Sequence, residues 1–160
     1  MPPAGAAPDL RVRPATAADL PGLLALLAQL NPEDAPPDLP AAAAALAAGE
    51  ASGLVTVLVV EIDGTVGATC TLVVVPNLTR GTRPWAVVEN VVTDAGHRRQ
   101  GLGRKVLQAA LDRAWAAGCY KVMLATGSQR QGTLLFYEAA GFIRGEKTFF
   151  QARRDQSGMA

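Results

Sequence analysis

The sequence has little of what metal and redox sites are made from. It contains two cysteines, Cys70 and Cys119, which form no Cys-x-x-Cys pair, and a single histidine, His97. This spacing offers no ligand cluster for a metal and no activated thiol motif, so we expect no metal. Two buried thiols are the expected state of the cysteines, and a disulfide between them is the alternative.

Long apolar runs, a leader segment and an excess of charge are also lacking. No stretch reaches the roughly 20 apolar residues that span a bilayer, and residues 1–8 have neither the basic start nor the apolar segment of a signal peptide. Fifteen basic and 14 acidic residues give a net charge of +1, which argues against coating nucleic acid or an anionic membrane. We therefore expect a cytoplasmic protein that binds neither nucleic acid nor membranes. Any function that depends on positive charge should be confined to a local site.

The composition is that of a globular domain. Hydrophobic residues make up 49% of the 160 residues and charged residues 18%, so the chain can bury a core. We predict one domain over residues 9–153 with flexible ends at 1–8 and 154–160. Strand character runs over Leu10–Arg13, Leu54–Glu61, Thr65–Val75, Trp85–Thr93, Tyr120–Ala125 and Lys147–Ala152, and helical character over Thr16 to Asn31, Ala41–Ala48, Gly101–Ala117 and Gln129–Ala140.

The order of these elements predicts the fold class. Antiparallel strands come first, joined by a hairpin at Asp63-Gly64, and strand–helix alternation follows. The expected architecture is therefore α/β, or α+β, with a mixed, mostly antiparallel sheet and helices on both faces. The last strand has an apolar edge at Thr148–Gln151, which predicts a homodimer paired across a two-fold axis.

The segment from Val91 to Arg104 is the most informative part of the chain. A strand ends, a loop turns, and a helix starts at the step Gly101-x-Gly103. A helix start leaves backbone N–H groups without partners, and its dipole attracts anions, so we expect a phosphate site. The segment is neither a Walker A loop nor a Rossmann fingerprint, because the required spacings are absent. An ordinary basic turn is the alternative.

The spacing Arg98-x-x-Gly101-x-Gly103 resembles the Arg/Gln-x-x-Gly-x-Gly/Ala motif of the GNAT N-acetyltransferase superfamily, in the same place between a strand and a long helix. The resemblance implies a GNAT fold, acetyl-CoA as co-substrate, and transfer of the acetyl group to a primary amine of a small molecule. It also implies that Arg98 and the loop amides hold the pyrophosphate of CoA. These amides are those of Arg99, Gln100, Gly101, Leu102, Gly103 and Arg104.

Two further segments match this family. Val91-Val92-Thr93 lies where GNAT enzymes splay two parallel strands, which implies that its main chain pairs with the pantetheine arm and that an amide near Val92 polarises the thioester. The run from Leu135 to Phe142 resembles the family's helix and Gly-Phe turn, whose tyrosine lies near the CoA sulfur. The resemblance assigns Tyr137 as the general acid that protonates the leaving thiolate and as part of the cofactor site. Simple packing of the tyrosine is the alternative.

The amine needs a base, because an ammonium cannot attack a carbonyl. Glu89 is a carboxylate in an otherwise apolar strand, where burial would favour its neutral form. Glu89-Asn90 resembles the Glu-Asp pair of glucosamine-6-phosphate N-acetyltransferases, but asparagine replaces the aspartate, so the sugar substrate is not carried over. Glu89, Asn90 and Arg80 are the predicted substrate contacts, Arg80 for an anionic group. The alternatives are a carboxylate at a sheet edge or paired with an arginine for Glu89, and an ordinary solvated loop charge for Arg80. His97 is interpreted as a residue of the phosphate loop.

Three other functions compete with this one. A CoA-binding regulatory module would need the phosphate loop but neither Glu89 nor Tyr137. A peptide or protein N-acetyltransferase would use the same chemistry on a larger acceptor. A nucleic-acid patch over His97–Lys105 is disfavoured by the balanced charge and the lack of interleaved aromatic residues.

Overall fold

A computed structural model describes residues 8–154 of the chain. The flexible ends predicted at 1–8 and 154–160 lie, apart from Pro8 and Arg154, outside these residues. The chain divides after Leu124 into two compact units, and each is described by itself; the single domain over 9–153 stays a prediction. The strands are β1 Leu10–Pro14, β2 Val55–Ile62, β3 Thr65–Val75, β4 Trp85–Thr93 and β5 Val122–Met123, and the helices are α1 Leu20–Leu30, α2 Leu39–Ala51, α3 Leu102–Ala116 and α4 Gln131–Ala139.

The first unit is built on one sheet with the strand order β1-β2-β3-β4-β5. Neighbouring strands are antiparallel from β1 to β4, whereas β5 pairs with β4 in parallel, after the crossover through α3. Asp63 and Gly64 join β2 to β3 with φ of 48° and 78°, the left-handed geometry of the predicted hairpin turn. The predicted mixed, mostly antiparallel sheet is confirmed.

Helices cover both faces of this sheet. Gly22 of α1 packs against Val66 of β3, while the next residue, Gly67, faces Leu102 at the start of α3. Because successive residues of a strand point to opposite faces, α1 and α3 lie on opposite sides of β3. The buried side chains of the core come from β2, β3, β4, α1 and α3, and the largest of them are Leu58, Leu72, Leu102, Leu107, Val59, Val60, Val88 and Val106.

An ion-pair network fixes the entry to α1. The Asp19 carboxylate accepts from the Thr16 N–H at 2.7 Å, which is one half of a capping box between these two residues. Arg13 of β1 donates to Asp19 at 2.7 Å and to Glu61 of β2 at 2.7 Å. The Arg13 guanidinium, with the Thr16 N–H adding to its effect, lowers the pKa of Asp19 to about 2. One arginine therefore ties the helix to two strands.

The second helix is longer than predicted. It runs over Leu39–Ala51 instead of the predicted Ala41–Ala48, and so it passes through Gly49. A Cβ at Gly49 would lie 3.3 Å from a Val55 methyl group, so this glycine serves a close approach to β2. Gly53, with φ of 68°, makes the turn instead.

The predicted strands at the end of the chain are wrong in two places. Tyr120–Ala125 forms a strand only at Val122–Met123, and within residues 8–154 no strand forms over Lys147–Ala152. Phe149 and Phe150 are 68% and 86% exposed. An apolar run becomes a strand only where a neighbouring edge supplies ladder hydrogen bonds, and none pairs with this segment within the described part of its own unit, residues 125–154.

None of the helices among the described residues is both long and apolar enough to cross a bilayer.

Candidate active site

The junction between β4 and α3 forms as the sequence predicts. Asp94 follows the strand and accepts from the Gly96 N–H at 3.0 Å, which starts a short turn over Ala95–His97. Arg99 and Gly101 then take φ of 64° and 77°, and α3 begins at Leu102. Glycine is suited to the left-handed position directly before the helix.

This junction offers backbone donors to a ligand. No N–H group of Gly101, Leu102 or Gly103 donates a hydrogen bond to another residue in the range 8–154. They lie at the positive end of the α3 dipole, where anions bind. Exposed side chains of Arg98 and Arg99 flank them, and neither pairs with a carboxylate among the described residues.

Of the other residues predicted to belong to this loop, some are buried and some are exposed. Leu102 is 1% exposed and anchors the start of the helix in the core, and Gly103 is buried with it. Gln100 and Arg104 lie at the surface. The loop therefore has a buried side that fixes it and an exposed side that carries polar groups.

The strand before the loop carries a bulge at Asn90. Thr71 of β3 pairs with Glu89 and Thr69 with Val92, so β4 holds one residue more than β3 between these pairs. Asn90 absorbs the extra length with φ of 52°, a left-handed conformation that asparagine tolerates. The bulge re-aims the side chain of Asn90, and both Asn90 and the preceding Glu89 are exposed.

The bulge coincides with a gap between β4 and β5. The parallel ladder holds only the pairs Ala86–Val122 and Val87–Met123. Beyond Val87 the main chain of β4 has no strand partner on that side among residues 8–154, and this stretch includes Val91, Val92 and Thr93. Val92 is 7% exposed, while Val91 and Thr93 are half-buried. An extended chain could add to this open edge as a strand does.

The premise used for Glu89 is wrong. Apolar neighbours along β4 predicted a buried carboxylate, but Glu89 is exposed: it pairs in register with Thr71 and, by strand alternation, lies on the face opposite the buried Ala86 and Val88. A base at this position therefore acts as a solvated carboxylate.

His97 is held by its own turn. Its Nδ1 lies 2.8 Å from Asp94 Oδ2. Asp94 also accepts from Gln29 Nε2 at 2.8 Å. These two hydrogen bonds, that from Gln29 first, lower the pKa of Asp94. The engagement of His97 agrees with its interpretation as a loop residue.

Gln29 and Asp94 are site residues that sequence reasoning missed. An aspartate two residues before a glycine is a local signal for an Asx turn, and it could have indicated Asp94. Gln29 lies 65 residues from Asp94, and no local pattern connects them.

Tyr137 lies in the second unit, on α4. Its ring packs edge-on against Phe136 at a centroid distance of 5.1 Å and against Phe142 at 6.3 Å. The Phe142 N–H donates to the Tyr137 carbonyl at 3.1 Å, and Gly141 between them has φ of 98°. The predicted helix and Gly-Phe turn is therefore formed, and it fixes the half-buried tyrosine within its own unit.

Arg80 belongs to a cluster of cations around Tyr120. The guanidinium carbons of Arg80 and Arg83 each lie 5.8 Å from the ring centroid, and Lys121 Nζ lies 5.4 Å from it. Among the described residues none of the three cations forms an ion pair with a carboxylate. We call Arg80, Arg83, Lys121 and Tyr120 the cation cluster.

The loop that carries this cluster is strained. Arg80, Gly81 and Thr82 have φ of 56°, 67° and 62°. A β-branched residue such as Thr82 rarely takes this conformation, and each non-glycine residue there costs about 1–3 kcal/mol. Asn77 Nδ2 holds the loop closed by donating to the carbonyls of Thr79 and Arg83 at 3.0 and 3.1 Å.

Comparisons with family models, with curated proteins and with solved structures each find acetyltransferases. The family model described as "Acetyltransferase (GNAT) family" matches residues 22–142. A glucosamine 6-phosphate N-acetyltransferase of Trypanosoma brucei brucei is 33% identical over 141 residues, covering 87% of this chain and 92% of that protein. Glucosamine 6-phosphate N-acetyltransferase 1 of Oryza sativa subsp. japonica is 36% identical over 139 residues, covering 83% and 81%.

A solved structure is similar over nearly its whole length. It is a protein of Agrobacterium tumefaciens str. C58, provisionally named as an acetyltransferase, with 45% identity and a TM-score of 0.85. The alignment covers 90% of this chain and 99% of that one.

Proposed function

This chain belongs to the GNAT family of acetyltransferases, and we propose that it moves the acetyl group of acetyl-CoA to a primary amine of a small molecule. The observation that carries the proposal is the set of unpaired amides at Gly101, Leu102 and Gly103, at the positive end of α3. The family uses acetyl-CoA, and a diphosphate is a ligand suited to such a site.

The proposed cofactor path runs from this loop onto β4. The diphosphate takes the amides of residues 99–104 with Arg98 and Arg99 beside it. The pantetheine arm then adds to the open edge of β4 at Val91, Val92 and Thr93, where the strand lacks a neighbour. This edge supplies main-chain donors and acceptors, and an N–H near Val92 polarises the thioester carbonyl.

The proposed chemistry is a direct transfer. Glu89, through water or directly, removes a proton from the ammonium, and the freed amine attacks the thioester carbon. The tetrahedral intermediate collapses as the C–N bond stays and the C–S bond breaks. Tyr137 donates its phenol proton to the departing thiolate and regains one from solvent, while the nitrogen, positively charged after the attack, releases its extra proton to solvent to leave the neutral amide. Exposure of Glu89 favours the route through water, because solvent reaches its carboxylate.

The test is acetyl-CoA consumption measured over amino sugars, amino acids, small amines and peptide N-termini. Turnover on at least one class is expected. On that substrate Tyr137→Phe and Glu89→Gln should each lower kcat by about 10²–10⁴-fold, the usual effect of a general acid or base. Glu146→Gln, at an exposed residue of the second unit, is the control and should match wild type.

Each outcome decides one part of the proposal. Full turnover by Tyr137→Phe at neutral pH would remove that residue from the acid role. Coenzyme A binding without turnover on any amine would favour the regulatory module. Turnover on peptide N-termini alone would favour a peptide or protein N-acetyltransferase.

A second proposal concerns the acceptor, which the cation cluster favours as an amine that carries an anionic group. Trp85 and Glu89 lie on the same side of β4, about 13 Å apart at roughly 3.3 Å per residue, and Lys121 Nζ lies 5.8 Å from the Trp85 ring. Two curated relatives are glucosamine 6-phosphate N-acetyltransferases. An anion would hold one end of such an acceptor and Glu89, with Asn90 beside it, the amine.

Glucosamine and glucosamine 6-phosphate test this acceptor as a pair. Wild type should favour the phosphorylated sugar, and Arg80→Gln or Lys121→Gln should raise its KM about tenfold or more, as loss of one charge-assisted hydrogen bond implies. The KM of unphosphorylated glucosamine should not move. Equal KM values for both sugars in wild type would refute the anionic subsite and leave acetyl transfer standing.

We also propose that the protein forms a homodimer, now on the evidence of exposed aromatic side chains and no longer on that of an edge strand. The edge strand that predicted it does not form in the described residues, but Phe149 and Phe150 remain exposed and would be covered by a second copy. The mass in solution tests it, and a monomeric mass would dismiss it.

A further inference from the structure

Gln29, at the end of α1, holds the turn that leads into the phosphate loop. Its Nε2 donates to Asp94 Oδ1 at 2.8 Å, and its Oε1 accepts from the Ala95 N–H at 3.0 Å. The orientation of the amide is determined, because the reverse would set oxygen against carboxylate and nitrogen against N–H. One side chain thus satisfies both a donor and an acceptor of the turn.

Asp94 is the centre of this arrangement. Its Oδ2 accepts from the Gly96 N–H at 3.0 Å and lies 2.8 Å from His97 Nδ1. Its own N–H donates to the Gly67 carbonyl of β3 at 2.9 Å. The turn is therefore fastened to α1, to β3 and to itself, four residues before the phosphate loop begins.

We infer that Gln29 is a positioning residue for cofactor binding, acting through Asp94 on the loop amides at residues 99–103. The inference rests on the proposed function. Its physical basis is preorganisation: a loop fixed before the ligand arrives loses less conformational entropy on binding. Gln29 is the contact through which α1, on the opposite face of the sheet from α3, fixes this turn.

Electrostatics act in the same direction. Asp94 is an anion close in sequence to a site for a diphosphate, and like charges repel. Hydrogen bonds from Gln29, Gly96 and His97 spread its charge over three donors and direct both carboxylate oxygens into the turn. Without Gln29, one carboxylate oxygen is left to solvent and to rotation towards the loop.

The chain offers a matched control for this contact. Gln108 Nε2 donates to Asp112 Oδ1 at 2.8 Å on the exposed surface of α3. It is the same type of hydrogen bond at the same length, but it holds no loop. Gln108→Ala therefore reports the cost of losing such a bond alone.

The experiment measures the Kd of coenzyme A by calorimetry, kcat and the KM of acetyl-CoA with saturating amine, and the KM of the amine with saturating acetyl-CoA. Gln29→Ala should raise the Kd and the KM of acetyl-CoA about tenfold, which corresponds to about 1.4 kcal/mol. Its kcat at saturating acetyl-CoA should stay within about twofold of wild type, as should the KM of the amine. Gln108→Ala should leave all four values unchanged.

Gln29→Glu is a second variant that keeps the length of the side chain and the helix. It sets a second carboxylate against Asp94 and should weaken coenzyme A at least as much as alanine does. Thermal melting first checks that both Gln29 variants are folded. If wild type binds coenzyme A and both folded variants bind it with a Kd within about twofold of the wild-type value, the positioning role is refuted and the proposed function survives. If wild type does not bind coenzyme A, the proposed function fails and this inference with it.

Discussion

Gly67 lies where β3 packs closely against the start of α3. A Cβ at this residue would lie 2.7 Å from Leu102 Cδ1 and 2.9 Å from Ile62 Cγ2. Carbon atoms prefer separations of about 3.5–4.0 Å. Leu102 and Ile62 are 1% and 4% exposed, so neither can turn into solvent to make room. We therefore predict that Gly67→Ala destabilises the protein.

The magnitude follows from two opposing effects. Overpacking a filled core costs about 1–3 kcal/mol, while replacing glycine in a strand returns about 0.5–1 kcal/mol of chain entropy. The net loss should be about 1–2 kcal/mol, which lowers Tm by about 2–8 °C for a chain of this size. Because Leu102 opens α3, the Kd of coenzyme A should also rise.

Urea unfolding measures the loss, and Gly22→Ala is the matched control. A Cβ at Gly22 would meet Val66 at 3.7 Å, an ordinary contact, so the control should be as stable as wild type or slightly more so. Leu102→Val removes the atom that clashes and should reduce the cost of Gly67→Ala in a double-mutant cycle. A Gly67→Ala variant as stable as wild type would refute this account of the packing.

Three further predictions concern single side chains. Asp19→Asn should cost about 1–3 kcal/mol at neutral pH; since the pKa of Asp19 is lowered to about 2, chiefly by Arg13, the stabilisation is full above the ordinary carboxyl pKa, and urea melts should show it lost as the pH falls towards 2. Asn90→Val should cost about 1–2 kcal/mol in the same assay, because φ is 52° there, whereas Asn90→Gly should be nearly neutral. Burial raises the pKa of Cys70 to about 12, so a thiol reagent at pH 8 should label this residue only after unfolding.

The parts of the fold that the sequence predicts are those set by local chemistry. Strands β3 and β4 have the predicted bounds, Thr65–Val75 and Trp85–Thr93, because each is a β-branched run closed by turn residues. The hairpin at Asp63 and the start of α3 at Gly101 depend on conformations that glycine and its neighbours favour locally.

The errors occur where a distant partner decides. The strand expected over Lys147–Ala152 lacks a neighbouring edge among the described residues of its own unit, and propensity alone does not supply one. Gly49 has the pattern of a helix end, but Val55, across the turn, makes it a contact instead. The sequence predicts the type of an element where the contacts that stabilise it are local, and it fails where they come from distant residues.

The candidate site divides in the same way. The motif Arg98-x-x-Gly101-x-Gly103 identifies the phosphate loop from sequence alone, because consecutive residues determine the conformation of this loop. The bulge at Asn90 depends on the register against β3, and Glu89, which the apolar strand predicted to be buried, is exposed. The hydrogen bond from Gln29 to Asp94 joins residues that are 65 positions apart. Strand or helix periodicity does not predict such a contact.

Titration calorimetry with coenzyme A tests the central claim most directly, with pantetheine, which lacks the diphosphate, as the comparison. If the unpaired amides at the start of α3 hold the diphosphate, coenzyme A should bind saturably at one site per chain, and pantetheine should bind far more weakly. No heat from coenzyme A, or equal affinity for pantetheine, would contradict the account.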